Sequence, residues 1–415
     1  MSGARRPDFD VVVVGGGMVG LATAALVARE PRLAGLRVAV VEPAAPRPPV
    51  DGDVDLRVSA LSRASERVLA AAGAWDAIEP HACAYERMVV WDAASTPEAA
   101  DALRFDAAEA GEPDLGHIAE NLRIQWALAG SPALKGVTML RAGLDGLEFG
   151  ADPARVGLDD GRSVTAGLVV GADGGSSKVR ELCGISRGGW SYGQVAVVAH
   201  LEPGHPHRHT AWQRFLPEGP LALLPLRDGR VSLVWSTTPE AAKSLIDAEP
   251  DAFGRRVTEA SAHVLGPLGL ASARAGFPLA LWHAREYVRP RLALVGDAAH
   301  TIHPLAGQGV NLGFLDAASL AEVLADAVES GTDPASLRVL RRYARWRRAE
   351  NAVMLGACDT INRTFGERSV AVAGLRRFGL AVVGSQAPVR RLMVRRALGL
   401  AGDLPAIVAR PGATP

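Results

Sequence analysis

The sequence predicts an α/β fold in which a nucleotide-binding βαβ unit is interleaved with a second β-sheet domain and followed by C-terminal helices. Three observations carry this prediction. A buried strand near the N-terminus runs into a glycine-rich turn and a helix. Short strands separated by turn residues fill the middle of the chain, and helical patterning dominates from Gly309 to about Ala401. At 415 residues the chain is long enough for two domains.

The βαβ unit begins with Phe9–Val14, a continuous apolar run typical of a parallel strand buried on both faces. The sequence GGGMVG follows with the G-x-G-x-x-G spacing, and an Ala/Leu-rich helix then extends to about Glu30. In this pattern the first glycine permits a tight turn, the second lets the backbone approach a pyrophosphate, and the third lets the helix pack closely on the strand. These positions are Gly15, Gly17 and Gly20.

The second strand of the unit, Arg37–Val41, ends in Glu42, which lies 22 residues beyond Gly20. An acid at this place accepts hydrogen bonds from a ribose diol and repels a 2′-phosphate. A diphosphate would lie at the N-terminus of the helix, where N–H groups and the helix dipole favour anions. The site therefore suits FAD or NAD and disfavours NADP.

Alternating and β-branched segments predict a sheet in the middle of the chain, laid across the nucleotide domain. Asp160-Gly161 and Asp228-Gly229 are typical hairpin turns. A helix is predicted over Pro239–Asp247. The predicted strands are Val137–Leu140, Gly146–Phe149, Arg155–Leu158, Ser163–Val164, Val195–Leu201, Trp212–Leu216, Leu221–Leu226 and Arg230–Ser236.

Two further segments follow the same strand-then-turn pattern. The apolar strand Leu168–Gly171 breaks at a turn that contains Asp173, which either binds a ligand or simply caps the next helix. Later, a strand delivers Asp297 to a loop, and Gly307 and Gly309 open a long helix. N–H groups at that helix start would face the N1–C2=O end of a flavin, where negative charge grows on reduction. An N-cap with a glycine-rich helix entry is the alternative.

Together the three segments resemble the signatures of the class A flavoprotein monooxygenases, which have the para-hydroxybenzoate hydroxylase fold. They are similar to the family's ADP-binding βαβ unit, its Asp-Gly fingerprint and its Gly-Asp flavin-ribityl motif. The similarity is closest to the ubiquinone-biosynthesis hydroxylases, which act on polyprenylated phenols. It is carried by RVSALS at 57–62, EN at 120–121, IQ at 124–125, and GDAAH at 296–300 continuing to Asn311. It spans Val11 to about Gly402.

The resemblance implies the residues that bind FAD. The glycines and Glu42 would hold the ADP half, and Asp297 the ribityl chain. Arg57 is implied near the pyrophosphate, with Gln125 nearby, and the start of the long helix at the isoalloxazine. The full set is Gly15, Gly17, Gly20, Glu42, Arg57, Gln125, Asp173, Asp297, Gly309, Val310 and Asn311.

Some positions keep two interpretations. Family members usually carry Arg after the Glu-Asn pair, but here Leu122 stands there, so whether Arg123 makes the same contact is open. His303 and Pro304 are the candidate catalytic residues, since the resemblance implies that this segment lies near the substrate. For His303 a structural loop histidine is the alternative to a base, and His300 is interpreted as a hydrogen-bonded loop histidine.

The resemblance also implies the reaction. NAD(P)H reduces FAD, the reduced flavin captures O₂, and a flavin C4a-hydroperoxide transfers one oxygen atom to an electron-rich ring. The cofactor carries this chemistry, and the protein binds it and excludes water. The rival functions are a flavin-dependent halogenase, although no W-x-W-x-I-P segment is present, a prenyl-chain reductase, and a non-catalytic scaffold in a ubiquinone-biosynthesis complex.

Other site types find little support in the sequence. Three scattered cysteines predict neither a disulfide framework nor a metal cluster, and no feature predicts nucleic-acid binding. A histidine cluster in a Gly/Pro loop is interpreted as solvated rather than metal-binding, and a set of aromatic residues either lines a prenyl pocket or packs in the core. The histidines are His205, His207 and His209, and the aromatics are Trp190, Tyr192, Trp212 and Phe215.

Charge and element order complete the predictions. Residues 331–415 carry 15 Arg against 5 acidic residues, so the rest of this chain of zero net charge carries −10. Arginine pairs between Arg376 and Leu400 either bind an anionic membrane surface or a partner of a biosynthetic complex, or fasten helices to the body. With no signal peptide or spanning segment, we expect a cytoplasmic enzyme, peripheral to the inner membrane at most. We expect the FAD-binding domain to consist of residues 1–80, 121–190 and 286–335. The substrate domain is expected over residues 81–120 and 191–285, and a C-terminal helical region over residues 336–415.

Overall fold

A computed structural model describes residues 6–50, 52, 54–150, 153–301, 308–366 and 394–409, and these form three sheets flanked by helices. Strands and helices are numbered along the chain. The first sheet contains β1 (Phe9–Val14), β2 (Val38–Val41), β8 (Thr138–Leu140), β9 (Leu144–Glu148), β10 (Ala154–Leu158), β11 (Ser163–Gly171), β18 (Val288–Arg289) and β19 (Leu292–Leu294).

The second sheet contains β5 (Arg87–Asp92), β6 (Leu103–Asp106), β12 (Arg187–Pro203), β13 (Thr210–Leu216), β14 (Gly219–Pro225), β15 (Val231–Thr237), β16 (Leu268–Leu270), β17 (Ala275–Ala284) and β20 (His300–Thr301). The small third sheet contains β3 (Val58–Leu61), β4 (Cys83–Ala84) and β7 (His117–Glu120). The helices are α1 (Met18–Arg29), α2 (Arg63–Ala71), α3 (Trp75–Ile78), α4 (Ala107–Ala110), α5 (Asn121–Ala129), α6 (Lys178–Leu182), α7 (Pro239–Ile246), α8 (Pro250–Ala260), α9 (Gln308–Glu329) and α10 (Leu337–Gly366).

The centre of the first sheet is parallel, in the order β8-β2-β1-β11-β19. β1 and β2 are short apolar runs with buried cores, as expected for strands covered on both faces. Val14, Gly171 and Leu294 stand in register across β1, β11 and β19. Parallel strands have their carboxyl ends at the same edge of a sheet. The three loops that carry the sequence motifs therefore lie side by side at that edge.

The second sheet turns one face toward its own helices and the other toward that edge. Val197, Leu223 and Leu233 pack with Phe253 of α8 in one core cluster. Residues one position away along the same strands point to the opposite face, because side chains alternate along a strand. That opposite face covers the motif loops. The βαβ start and the fold class predicted from sequence are confirmed.

Two features of the second sheet differ from expectation. β12 extends over Arg187–Pro203, much further than the predicted Val195–Leu201, and a register shift between Ser191 and Gln194 interrupts its pairing with β17. Glycine has a low strand propensity, so the glycines in the first half of β12 gave no indication of a strand there. The sequence did not indicate β17, nor the shorter strands β5, β6, β16 and β20. α9 and α10 lie in the predicted helical region, of which residues 367–393 are outside the described part of the chain. No helix within the described residues has the length and apolarity needed to cross a bilayer. The domain limits stay a prediction.

Candidate active site

The glycine turn after β1 shows why each motif glycine is needed. Gly15 has φ +109°, and a Cβ there would stand 2.4 Å from the Ala172 carbonyl oxygen. A Cβ on Gly20 would stand 1.9 Å from the Gly15 carbonyl oxygen. Both glycines are therefore required by packing within the chain. Gly17 is different, since a Cβ there would meet no atom within 4 Å, and the space beside it is open.

Glu42 and Gln125 both hydrogen-bond to Gly16 of this turn, one at its N–H and the other at its carbonyl oxygen. The Glu42 Oε2 atom accepts a hydrogen bond of 2.7 Å from the Gly16 N–H. The Gln125 Nε2 atom, from α5, donates one of 2.8 Å to the Gly16 carbonyl oxygen. The two residues, 83 positions apart in the sequence, are thus brought together at the turn. Their contact with a ribose or a pyrophosphate stays a prediction.

A cleft of about 400 Å³ lies between the motif loops and the second sheet. Its wall on one side is made by the loops after β1, β11 and β19 and by the start of α9. The other wall is an apolar face formed by β12, β15 and β17. Of the predicted FAD residues, the cleft is lined by Gly17, Arg57, Asp297, Gly309 and Val310.

Asp297 lies in a short 3₁₀ turn, Gly296–Ala298, which follows the carboxyl end of β19. Its side chain is reachable from the cleft, although protein surrounds it closely. Removal of bulk water therefore raises the pKa of the carboxyl group, an effect that His300 and Arg57 oppose. None of the hydrogen bonds found in the described part of the chain uses this carboxylate, which leaves it oriented to receive a hydroxyl donor.

Asn311 and Asp173 bond elsewhere in the protein. The Asn311 Oδ1 atom accepts from the Ser62 N–H at 3.0 Å and its Nδ2 atom donates to the Ala60 carbonyl at 2.9 Å. The Asn311 side chain is therefore bonded within the protein, and a contact of this residue with an isoalloxazine stays a prediction. Asp173 Oδ2 accepts from the Val179 N–H at 2.9 Å, so it caps α6 as one interpretation predicted. Its Oδ1 atom is buried and has no partner there.

Beneath the Asp297 turn lies a buried ionic network that the sequence did not reveal. Asp316 of α9 accepts from His300 Nε2 at 2.5 Å and from Arg347 Nε at 2.9 Å. The Gly296 N–H and the Asn351 side chain donate to the same carboxylate at 3.1 Å each. Although burial alone would raise the pKa of Asp316, His300 and Arg347 lower it to about 2. The network fixes the loop that follows β19. His300 is a hydrogen-bonded loop histidine, as predicted.

Arg123 is bonded to its own segment. Its Nε atom donates to Glu120 Oε1 at 2.6 Å, and Glu120 Oε2 accepts from the Asp55 N–H at 2.8 Å. Arg123 does not line the cleft, whereas Arg57 does, with its guanidinium carbon 5.5 Å from the centre of the Phe277 ring. The guanidinium group at this cleft therefore comes from Arg57.

The predicted catalytic pair, His303 and Pro304, lies outside the described residues. The aromatic residues divide between core and surface. Phe215 is buried in the core, and Trp212 packs edge-on against Trp91 at 6.2 Å between ring centres. Trp190 is exposed, and Tyr192 donates to Asp359 at 3.2 Å.

Two of the loop histidines contact backbone carbonyl oxygens. His207 Nε2 and His209 Nδ1 lie 3.1 Å and 2.9 Å from the backbone carbonyls of Leu226 and Ala84. His207 is buried rather than solvated, which corrects part of the sequence interpretation.

Comparison with known proteins agrees with this arrangement. A family model described as an FAD binding domain matches residues 8–355. The chain is 38% identical over 397 residues to the 3-demethoxyubiquinol 3-hydroxylase of Escherichia coli K12, with 94% of this chain and 98% of that protein covered. It is 36% identical to the human ubiquinone biosynthesis monooxygenase COQ6, with 92% and 91% covered. The chain belongs to the FAD-dependent ubiquinone-biosynthesis hydroxylase family.

Membership in this hydroxylase family makes FAD the cofactor and the protein a monooxygenase. The residues at the cleft fit that cofactor in their chemistry, because Gly17 leaves open space beside the backbone and the Asp297 carboxylate, which accepts no hydrogen bond from the described residues, can accept one from a hydroxyl group. The solved structure of p-nitrophenol 4-monooxygenase from Pseudomonas putida shares the fold, with a TM-score of 0.73 at 21% identity, covering 94% of this chain and 98% of that one. The names of these relatives give no support to a halogenase, a prenyl reductase or a scaffold.

Proposed function

We propose that this monooxygenase hydroxylates the ring of a polyprenylated phenol, with NAD(P)H as the electron donor and O₂ as the oxygen source. The relatives are named for ubiquinone biosynthesis, whose intermediates carry a prenyl chain on a phenolic ring. The observation that carries the proposal is the apolar face opposite the FAD residues, because it continues beyond the cleft.

Beside the cleft, under the second sheet, lies a small cavity that we take as the beginning of a channel for the prenyl chain. This cavity of about 80 Å³ shares Val58 and Val234 with the main cleft. Val234, Ala222 and Gln213 are in register across β15, β14 and β13, so they form one row on the same face. Ala60 of β3 lines the other side. The ring of the substrate would lie in the cleft, and its chain would follow the channel.

Bound FAD would supply the electron transfer from NAD(P)H and the activation of O₂. The chain's own residues would bind it and shape its surroundings. Asp297 would accept a hydrogen bond from the ribityl chain, and the N–H groups at the start of α9 would stabilise negative charge near the isoalloxazine. The apolar residues of β12, β15 and β17 would exclude bulk water from the reacting ring.

The test of the reaction uses the purified protein, NAD(P)H and 2-farnesylphenol as the substrate. We expect the phenol to accelerate NAD(P)H oxidation and ¹⁸O from ¹⁸O₂ to enter the ring. Label that enters from H₂¹⁸O, or reduction of the prenyl chain without O₂ uptake, would contradict the proposal.

The channel is tested by filling it. Ala222→Phe should raise KM for 2-farnesylphenol while leaving KM for unsubstituted phenol unchanged, since only the long chain needs the channel. Ala108→Phe, at an exposed position of α4, is the control and should change neither value. Equal effects of Ala222→Phe on both substrates would argue against a chain in this channel.

We further propose that a basic face of α10 binds an anionic membrane surface, from which so apolar a substrate would be collected. Four arginines spaced by 3, 4 and 3 residues lie on one exposed face of α10, and the described residues offer none of them an acidic partner within 4 Å. They are Arg338, Arg341, Arg345 and Arg348. Each basic residue near such a surface contributes about 1 kcal/mol.

The sequence also suggested membrane binding by the arginines between Arg376 and Leu400. The structure describes only some of these residues. Arg390 and Arg391 lie outside the described residues, and Arg396 donates to Glu350 at 2.9 Å, which favours a fastening role for that residue. Changing the four α10 arginines to Gln should abolish salt-sensitive binding to vesicles containing phosphatidylglycerol, whereas changing them to Lys should preserve it. Unchanged binding of the Gln variant would contradict a membrane role for α10.

A further inference from the structure

Two of the polar side chains on the mainly apolar face of the second sheet stand directly opposite each other. His200 of β12 stands directly opposite Ser232 of β15 in the antiparallel pairing. The next pair along the same face is Val198 and Val234, both of which line the cleft, as Ser232 does. His200 and Ser232 are completely buried. Two polar residues at the apolar wall of a binding cleft require an explanation, because burying polar groups is unfavourable unless they find partners.

Each member of this pair has a polar atom without a hydrogen-bond partner in the described part of the chain, namely Ser232 Oγ and His200 Nδ1. His200 Nε2 lies 3.1 Å from the Asp55 carbonyl oxygen. Because a carbonyl oxygen only accepts, Nε2 carries the hydrogen, and Nδ1 of the neutral ring presents a lone pair. Burial lowers the pKa of His200, which keeps the ring neutral before substrate binds.

The two unpartnered atoms belong to residues that stand directly opposite each other in the strand pairing. Directly opposite residues of an antiparallel pair have Cβ atoms about 4.5–5.5 Å apart. Ser232 Oγ and His200 Nδ1 are not hydrogen-bonded to each other here, so a proton transfer between them would need a movement of these side chains. A serine hydroxyl both accepts and donates, so Ser232 can connect a group in the cleft with the imidazole behind it.

We infer that Ser232 is a catalytic residue that accepts the hydroxyl proton of the phenol, and that His200 is the positioning residue that receives the proton behind it. This inference rests on the proposed phenol substrate. The phenol O–H bond breaks as its proton moves to Ser232 Oγ, and the serine's own proton moves to His200 Nδ1. A phenolate and an imidazolium form, and the Asp55 carbonyl holds the imidazolium at Nε2. The phenolate is more electron-rich and therefore accepts an oxygen atom more readily.

The experiment compares Ser232→Ala with wild type in the FAD-loaded enzyme, using 2-farnesylphenol. We expect kcat for ring hydroxylation to fall about a hundred-fold, with KM changed less than about three-fold. Ser232→Thr, which retains a hydroxyl, should restore most of the rate. His200→Gln should lower kcat in the same direction. Ser319→Ala is the matched control, because Ser319 is equally buried but bonds to the Leu315 carbonyl inside α9.

Two readouts separate this role from a structural one. Phenolate absorbs at longer wavelength than phenol, so the absorbance of bound 2-farnesylphenol should show less phenolate in Ser232→Ala than in wild type. The variant should keep its FAD content and unfold at the same temperature as wild type. An unchanged rate and unchanged phenolate absorbance would overturn the inference, as would a rate loss that follows loss of FAD or of stability. If wild type hydroxylates no phenol, the proposed function fails, and a phenolate signal that does not depend on Ser232 overturns the inference separately.

Discussion

Two groups of polar residues lie around the Asp297 turn, and they differ in how many of their polar atoms find hydrogen-bond partners. Below the turn, the Asp316 carboxylate is bonded to His300, Arg347 and Asn351 and to the Gly296 N–H. In and around the cleft, the Asp297 carboxylate is left without a hydrogen bond among the described residues, and polar atoms of Ser232 and Asp173 are buried without a partner. The four bonds to the Asp316 carboxylate stabilise the fold, although the His300 Nδ1 atom is itself buried without a partner among the described residues. We expect the unpartnered atoms at the cleft to serve ligand binding.

The largest expected effect comes from breaking the bonds to the Asp316 carboxylate. Asp316→Ala leaves Arg347 with no buried counter-charge, and we expect the free energy of unfolding to fall by about 3–5 kcal/mol. Asp326→Ala is the control, because its pairs with Arg32 and Arg342 are partly exposed, and it should cost less than about 1 kcal/mol. Denaturant unfolding measures both. Similar small losses in the two variants would show that the network is not a main source of stability.

The glycines of the first turn extend the same comparison to the backbone. Gly20→Ala should lower the free energy of unfolding by about 3 kcal/mol, the upper end of the range for overpacking, because its Cβ would overlap the Gly15 carbonyl. Gly17→Ala should leave stability nearly unchanged but weaken FAD binding, since its methyl group enters open space at the cleft. Flavin titration and thermal unfolding distinguish them. The assignment is wrong if Gly17→Ala destabilises the protein and binds FAD normally.

Removing the cleft carboxylate should affect FAD and not the fold. Asp297→Ala should lower FAD affinity about ten- to a hundred-fold, equivalent to about 1.5–3 kcal/mol for a charged acceptor. Glu42→Ala should lower affinity to a similar extent, and it also removes the bond to the Gly16 N–H, so some loss of stability is expected for it alone. Fluorescence titration of FAD tests both. Affinities equal to that of wild type in both variants would refute the site assignment.

The smallest expected effect is a pH dependence with opposite signs for the two carboxyl groups. The pKa of Asp316 is lowered to about 2, so its stabilisation is complete above its ordinary pKa of 3.8 and is lost as pH falls from there toward 2. The loss should be about 2 kcal/mol. The pKa of Asp297 is raised, so protonation at falling pH relieves an unfavourable charge instead. Unfolding of Asp297→Asn between pH 7 and pH 3, measured without FAD, checks this. The free energy of unfolding of the variant should be greater than that of wild type at pH 7, and the two values should converge as the pH falls.

Local patterns along the chain determined a large part of what can be said about this protein. The strand, glycine turn, helix and acid of the first unit follow from side-chain periodicity and the conformational needs of glycine, which act over a few residues. The family signatures at Gly15, Asp173 and Asp297 are also local, and their order along the chain indicated the fold and the cofactor.

The tertiary structure decided which of those residues line the cleft and what surrounds them. Asn311 turns toward Ser62 and Ala60, and Gln125 holds the glycine turn, because each bond joins residues from distant parts of the chain. The Asp316 network and the pairing of His200 with Ser232 have no local signal at all, since strand register and helix packing bring their members together. A sequence lists polar residues one by one, whereas burial and the presence or absence of a partner are properties of the packed chain.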